Sequence, residues 1–365
     1  MRTIPDLTIV VPTFNERANI RPLVGLLDAA LAGIAWEVVF VDDDSPDGTA
    51  DEVRAIGRDD GRVRVLHRIG RRGLAGATIE GILSSIAPIV AVMDADMQHD
   101  ETRLATMFAM LRDDPGLDIV IASRNAEGGS AAGGFSGLRR WMSESATGLA
   151  RRLLKVTATD PMSGFFMLRR ARFNEVVTQL QPEGFKVLLD ILSSSRGQWR
   201  VAEVPYSFRA RRHGESKLDS AVALEFLALL VARATGGVVS IRFVLFALVG
   251  LSGVAVQLAA VRLMLWLATE TFLIAQTAGV MVAMTTNFVL NNLLTYRDRA
   301  LKGRAFLKGL LSFYAVCSIG AVANVGVGEA VYAVLPQPEI ASATGAVVGA
   351  LWNFLASSAV TWRAR

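Results

Sequence analysis

The strongest constraint on how this chain can fold is the run of apolar residues that begins near Val238 and continues almost to the C-terminus. Phe243 to Leu267, Phe272 to Leu294, Leu310 to Leu335 and Ile340 to Val360 each reach the roughly 20 residues that a helix needs to cross a bilayer. In lipid the backbone must satisfy its own hydrogen bonds, so such segments are expected to be helices. The 365-residue chain is 52% hydrophobic, too apolar for an ordinary soluble enzyme, and the excess lies in this part. Up to about Lys217 charged and apolar residues mix as in a globular domain. The expected organisation is therefore a soluble domain over 1–217, an interfacial connector helix over 218–237 and a membrane domain over 238–365.

The apolar part repeats itself. Phe243-x6-Gly250 in the first run returns as Phe313-x6-Gly320 in the third. NFVLNNLLTYR, Asn287 to Arg297, returns as NFLASSAVTWR, Asn353 to Arg363. This predicts an all-α domain of four transmembrane helices in two repeated hairpins. The joints Thr269-Glu270-Thr271 and Pro336 to Glu339 lack basic residues, whereas Arg297, Arg299, Lys302, Arg304 and Lys308 crowd the middle joint. The positive-inside rule then places both termini and the soluble domain on the cytoplasmic side of a multi-pass integral membrane protein. MRTIPDLTIVVP holds no adequate signal-peptide core, which agrees with that side. Asn287, Asn291, Asn292 and Asn353 suit hydrogen bonds between helices. The single cysteine, Cys317, lies in an apolar run and excludes an intrachain disulfide.

In the soluble part, short apolar strands alternate with helical spacing. Strands are predicted at Leu7 to Val11, Glu37 to Val41, Val63 to Leu66, Ile89 to Met93 and Ile119 to Ala122, with another opening at Asp160 to Phe166. Helices are predicted at Asn19 to Leu31, after the loop Arg68 to Arg72 and running through Glu80, around Leu104 to Leu111 and at Phe185 to Leu192. Alternation of this kind predicts an α/β, Rossmann-like, mostly parallel sheet. Polar motifs recur where strands stop: VPTFNE (Val11 to Glu16), Asp42-Asp43-Asp44, AVMDADMQH (Ala91 to His99) and Ser123-Arg124. Open α/β sheets bind ligands along that carboxyl edge. Three adjacent carboxylates repel one another unless they find donors, and Ser45 or Asp47 as a helix N-cap accounts for only part of the cluster. Asp94-Ala95-Asp96 offers hard oxygen ligands for Mg²⁺ or Mn²⁺ shared with substrate phosphates, or else forms a solvated turn.

Basic residues gather in loops and near the membrane. The net charge is +4. Anionic lipid headgroups and substrate phosphates account for the arginines more economically than nucleic acid does. Leu138 to Leu154 has the spacing of an amphipathic helix with a basic flank, suited to a membrane interface or to an ordinary core helix with a basic solvent face. FRARRHGESK, Phe208 to Lys217, packs Arg209, Arg211, Arg212 and Lys217 around a glycine, a composition suited to two phosphate groups brought together.

VPTFNE, DDDSPDGT, DADMQH, DPMSGFF and RRHGESK, in this order, resemble a family-2 glycosyltransferase of the GT-A fold. More narrowly they resemble the dolichyl (polyprenyl) phosphate mannose synthases, and the apolar part resembles the GtrA-type membrane domain. The resemblance implies transfer of mannose from GDP-mannose to a polyprenyl phosphate, with Mg²⁺ or Mn²⁺ as cofactor. It implies that Pro12, Phe14, Glu16, Val41 and Asp43 line the nucleotide. Asp94, Ala95, Asp96 and Gln98 would hold the diphosphate and metal, Asp96 and Gln98 directly. Arg124, Arg139, Ser143, Arg211 and Lys217 would gather the donor and acceptor phosphates; Asp96, Arg124, Arg211 and Lys217 are thus the expected catalytic set. Phe14 stands where tyrosine is common, and Glu144 where a basic residue is usual.

A lipid phosphate is already anionic near neutral pH and needs no general base, and no histidine or carboxylate stands out as one. Alignment of two anions by cations is then the main task. One displacement predicts inversion, from an α-linked donor to a β-linked mannosyl phosphate. A processive polysaccharide synthase would be expected to carry Q-x-x-R-W, where this chain has Gly137-Leu138-Arg139-Arg140-Trp141. UDP-glucose or another nucleotide sugar is an alternative donor, and translocation of the lipid-linked sugar is an alternative role for the membrane helices.

Overall fold

The computed structural model describes residues 4–126, 130–131, 156–182, 186–208, 239–267, 272–335 and 337–363, together with 228, 231 and 235. The chain divides into two compact units, Met1–Val238 and Val239–Arg365.

In the first unit the elements run β1 (Leu7–Thr13), α1 (Arg17–Ala30), β2 (Trp36–Asp42), α2 (Thr49–Asp59), β3 (Val63–His67), α3 (Leu74–Leu83), β4 (Ile89–Val92), α4 (Arg103–Asp113), β5 (Ile119–Ser123), β6 (Ser130–Ala131), β7 (Phe166–Arg169), α5 (Arg170–Val176), α6 (Val187–Ser194), β8 (Val201–Pro205) and β9 (Ser207–Phe208). The main sheet has the order β3-β2-β1-β4-β7-β5-β8, and β6 pairs with β9 separately. Every neighbouring pair in the main sheet is parallel except β4 with β7 and β7 with β5.

The central strands are apolar because helices cover both of their faces: all four residues of β4 and all five of β5 are buried. Helix α1 turns Ile20, Leu23 and Leu27 inward at helical spacing. The strand β8 was not marked by the sequence. Its VAEVP is short, interrupted by a glutamate and ended by proline, yet it pairs with β5 from Ile119↔Val201 to Ser123↔Pro205.

The topology positions the site. From β1 the chain winds outward through β2 to β3, then returns so that β4 pairs with the other side of β1. The crevice at such a reversal is where open α/β sheets bind ligands. The loops that leave β1 and β4 there are the ones that carry VPTFNE and DADMQH.

The second unit holds α7 (Ile241–Leu267), α8 (Phe272–Leu290), α9 (Arg304–Val334) and α10 (Pro338–Ala356). Among the described residues, Ile241–Leu267 and Arg304–Ala323 are long and apolar enough to cross a membrane. Helix α9 starts at Arg304, earlier than the expected Leu310, just after Gly303 at φ 54°. Both α8 and α10 end in one wide π turn, Asn291–Thr295 and Ser357–Thr361. Each turn closes equivalently, with Tyr296 N–H donating to Asn291 O at 2.8 Å and Trp362 N–H to Ser357 O at 2.9 Å. Their rings then stack at 4.2 Å, 5° from parallel.

The packing distinguishes the glycines of the second unit. A Cβ on Gly320 would sit 2.0 Å from Asn353 Oδ1, and one on Gly253 would sit 2.5 Å from the Asn287 amide, whereas one on Gly250 would meet nothing within 4 Å. In this contact with an asparagine Gly320 resembles Gly253, which follows Phe246 at the same x6 spacing, more than the Gly250 that the sequence spacing paired with it.

Candidate active site

The loop after β2 shows how three adjacent carboxylates coexist. Asp42 accepts the Ser45 N–H at 3.0 Å, the Ser45 hydroxyl at 2.6 Å and the Thr13 hydroxyl at 3.3 Å. Asp43 pairs with the guanidinium of Arg68 and accepts the Gly73 N–H at 2.7 Å. Asp44 accepts the Gly70 N–H at 3.2 Å and faces His67 Nε2 at 3.0 Å. Each carboxylate has its own donors, so their mutual repulsion is offset. Burial raises Asp43 above the usual carboxylate range although Arg68 opposes it, while the Gly70 N–H and His67 hold Asp44 below it.

Of the two residues the sequence suggested as a cap for α2, Asp47 takes its first N–H: Oδ1 accepts Thr49 N–H at 3.0 Å from one position before the N-cap, whereas Ser45 does not reach the helix. The N-cap position itself is Gly48 at φ 84°. Both residues also join the β1 and β2 loops: Ser45 Oγ accepts the Asn15 N–H at 2.9 Å and Asp47 Oδ2 accepts the Arg17 N–H at 3.2 Å. Asn15, Asp44 and Met97, one on each of the loops after β1, β2 and β4, hold φ between 57° and 60°. Non-glycine residues there are uncommon and concentrate at functional sites.

Of the residues expected to line a nucleotide, Pro12 lies in β1 and Glu16 accepts an Asn19 side-chain N–H at 2.6 Å. Val41 is wholly buried, its side chain packed towards Gly81 and its carbonyl accepting the Thr13 hydroxyl at 3.3 Å. Phe14 is half-buried, with the guanidinium of Arg72 4.3 Å above its ring.

The loop after β4 reverses tightly through Met97, and Asp96 Oδ1 accepts the Gln98 N–H at 3.1 Å. Ala95 is buried, while Asp94, Asp96 and Gln98 are half-buried. Beneath them His99 accepts the Asp94 N–H at Nδ1, 3.2 Å away, which places its own proton on Nε2, 3.7 Å from Asp94 Oδ2. The His99 ring stacks on Phe165 and meets Tyr206 edge-on. Burial lowers its pKa to about 4, so it is a neutral prop at neutral pH.

The motif DPMSGFF supports the same edge. Asp160 grips Arg124 through two bonds, Nε to Oδ2 at 2.8 Å and the terminal nitrogen to Oδ1 at 3.0 Å. Burial alone would lower the Arg124 pKa, but the Asp160 bond outweighs it and the guanidinium stays charged. Glu203 holds the loop by accepting the Thr159 and Asp160 N–H groups. A Cβ on Gly164 would stand 2.9 Å from Asp94 Oδ2, so only glycine leaves room for that carboxylate. One cavity is lined by Asp94, Gly164, Met162, Leu74, Thr78 and Lys186. Sequence reasoning passed over Lys186; its one available signal was a lone cation ahead of the apolar helix VLLDIL. Arg139, Ser143, Arg211 and Lys217, with the helix expected at Leu138 to Leu154, lie outside the described residues.

Asp94, Asp96 and Gln98 supply oxygen donors only, which fits Mg²⁺ or Mn²⁺. Among the described residues no three His, Cys, Asp or Glu side chains gather into a metal cage. The set therefore fits a cation that completes its shell with substrate oxygens.

Both units of the chain are similar to known proteins. Residues 8–177 match the family described as Glycosyl transferase family 2, and residues 245–362 match GtrA/DPMS, transmembrane domain. A dolichol-phosphate mannosyltransferase of Pyrococcus furiosus is 33% identical over 325 residues, covering 87% of this chain and 88% of its own length. One of Mycosarcoma maydis is 35% identical over 257 residues, 68% of this chain and 86% of the relative. The crystal structure of a mycobacterial protein matches 63% of this chain and 75% of its own with a TM-score of 0.50 at 19% identity, a likeness of fold alone. The chain belongs to the dolichol-phosphate mannosyltransferases of glycosyltransferase family 2, here carrying a GtrA/DPMS transmembrane domain.

Proposed function

We propose that this membrane glycosyltransferase moves mannose from GDP-mannose to a polyprenyl phosphate at the cytoplasmic face, with inversion, giving a β-linked product. The observation that carries the reading is that the loop of Asp94 and Asp96 and a charged Arg124, fixed by Asp160, stand at the carboxyl ends of β4 and β5 in one sheet, in a chain related to dolichol-phosphate mannosyltransferases over most of its length. Breaking the sugar–phosphate bond leaves a nucleoside diphosphate, so charge grows on the leaving group. Arg124, held ready by Asp160, stabilises that charge without reorganising. Lys186 and Asp94 share the cavity where the sugar and its phosphate would sit. Asp94, Asp96 and Gln98 would hold Mg²⁺ or Mn²⁺, which supplies Lewis-acid stabilisation of the diphosphate.

The acceptor is an anion and needs no base. His99 agrees with this, since its Nδ1 is already engaged by the Asp94 N–H. We assign acceptor-phosphate binding to Arg139, Ser143, Arg211 and Lys217. The domain limits 1–217, 218–237 and 238–365 belong to the same reading, as do four spans in two duplicated hairpins. Support for duplication comes from the Gly253–Asn287 and Gly320–Asn353 contacts and the matching π turns. The test is transfer of labelled sugar from GDP- and UDP-sugars to a polyprenyl phosphate in detergent, with Asp96→Asn as control. Labelled lipid from GDP-mannose, lost in the control, supports the reading; transfer from UDP-glucose alone replaces its donor.

A further inference from the structure

We infer that Arg72 and Phe14 form a nucleobase clamp, the base of the donor entering between the guanidinium and the ring. The inference rests on the nucleotide-sugar reading above and adds a residue to its site.

Phe14 belongs to the loop after β1, beside the crevice where the sheet reverses direction. The guanidinium of Arg72 is centred 4.3 Å above its ring. Arginine planes and aromatic rings both stack on bases, so the two groups are chemically suited to opposite sides of one.

The backbone of the loop that carries Arg72 is anchored on both sides of this residue. Asp44 accepts the Gly70 N–H, and Asp43 accepts the Gly73 N–H and grips Arg68. Arg71 bonds Glu80 at 2.8 Å. Arg72 itself is exposed and rests on Phe14 by a surface cation–π contact. Such a contact is weak enough for a base to displace. Opening then needs rotation of one long side chain while the loop stays anchored.

The test is binding of GDP and of inorganic pyrophosphate, each with Mn²⁺, to the full chain in detergent by calorimetry. A base clamp predicts that Arg72→Ala weakens GDP about tenfold, the effect of losing one stacking partner. It leaves pyrophosphate, which has no base, within twofold of wild type. Phe14→Ala should weaken GDP similarly, and the double variant should lose less than the product of the two. Arg72→Lys, which keeps charge but loses the plane, should restore little. Equal loss of GDP and pyrophosphate would make Arg72 a phosphate ligand and overturn the clamp, as would unchanged GDP affinity in Arg72→Ala. If wild type bound no nucleotide, the nucleotide-sugar reading itself would fall and the clamp with it. An unchanged melting temperature in Arg72→Ala shows that the loss is not one of folding.

Discussion

Arg124 and Asp160 are joined by two parallel hydrogen bonds across 36 positions of sequence, with the Asp160 side chain 3% exposed. This pair ties the end of β5 to the DPMSGFF loop and gives the site a preset cation. Asp160→Asn leaves Arg124 half-buried without its counter-charge. Removing one partner of a buried pair costs on the order of 3 kcal/mol, so the melting temperature should fall clearly. Misplacing the cation should also lower kcat about 100-fold with a smaller change in KM. Steady-state kinetics with thermal denaturation read both effects.

Gly164→Ala tests the close approach to Asp94. The new Cβ would stand 2.9 Å from Oδ2, and the carboxylate is the softer of the two neighbours. We expect Asp94 to turn aside, with transfer lowered at least tenfold, a plausible cost of an ångström-scale misplacement. Mn²⁺ affinity should fall in parallel. Full activity in this variant would remove Asp94 from the site.

His99 sets an acid limit on the first unit. Its pKa is about 4 in the folded chain, from burial, against 6.5 when free. The unfolded state therefore binds the extra proton between those values, and stability rises with pH through that window. The contribution is present in full above pH 6.5 and is lost as pH falls towards 4. In metal-free protein the urea midpoint should drop across that range, and His99→Gln should flatten the slope.

The membrane unit offers a test of register. Gly253→Ala and Gly320→Ala press a methyl group on Asn287 and Asn353, whereas Gly250→Ala meets open space. Overpacking costs typically about 1–3 kcal/mol, so the first two should lower the melting temperature in detergent and the third should not. Similar losses at 253 and 320 support equivalent hairpins; a loss at 250 alone would favour the sequence register.

Much of this was legible in the residues because local patterning is strong where burial is complete. Strands β1, β2, β4 and β5 are largely apolar and buried, and each stops at a polar motif. The antiparallel β7, threaded between β4 and β5, was not legible in its placement, since FMLR reads alike in either direction. Nor was β8, whose apolar content is too small to stand out. Within the site, DADMQH and Ser123-Arg124 could be seen because they sit on strand ends. The clasp of Asp43 by Arg68, the space for Asp94 beside Gly164 and the approach of Arg72 to Phe14 join distant loops, and no local pattern encodes them.

The most direct measurement of the central claim is transfer of labelled mannose from GDP-mannose to a short polyprenyl phosphate by the purified full chain, with Mg²⁺ or Mn²⁺, beside Asp96→Asn. The account predicts a mannosyl phospholipid with a β linkage, dependent on the metal and absent with the variant. An α-linked product would contradict single-step inversion, and no transfer from GDP-mannose while another donor is used would contradict the assigned substrate.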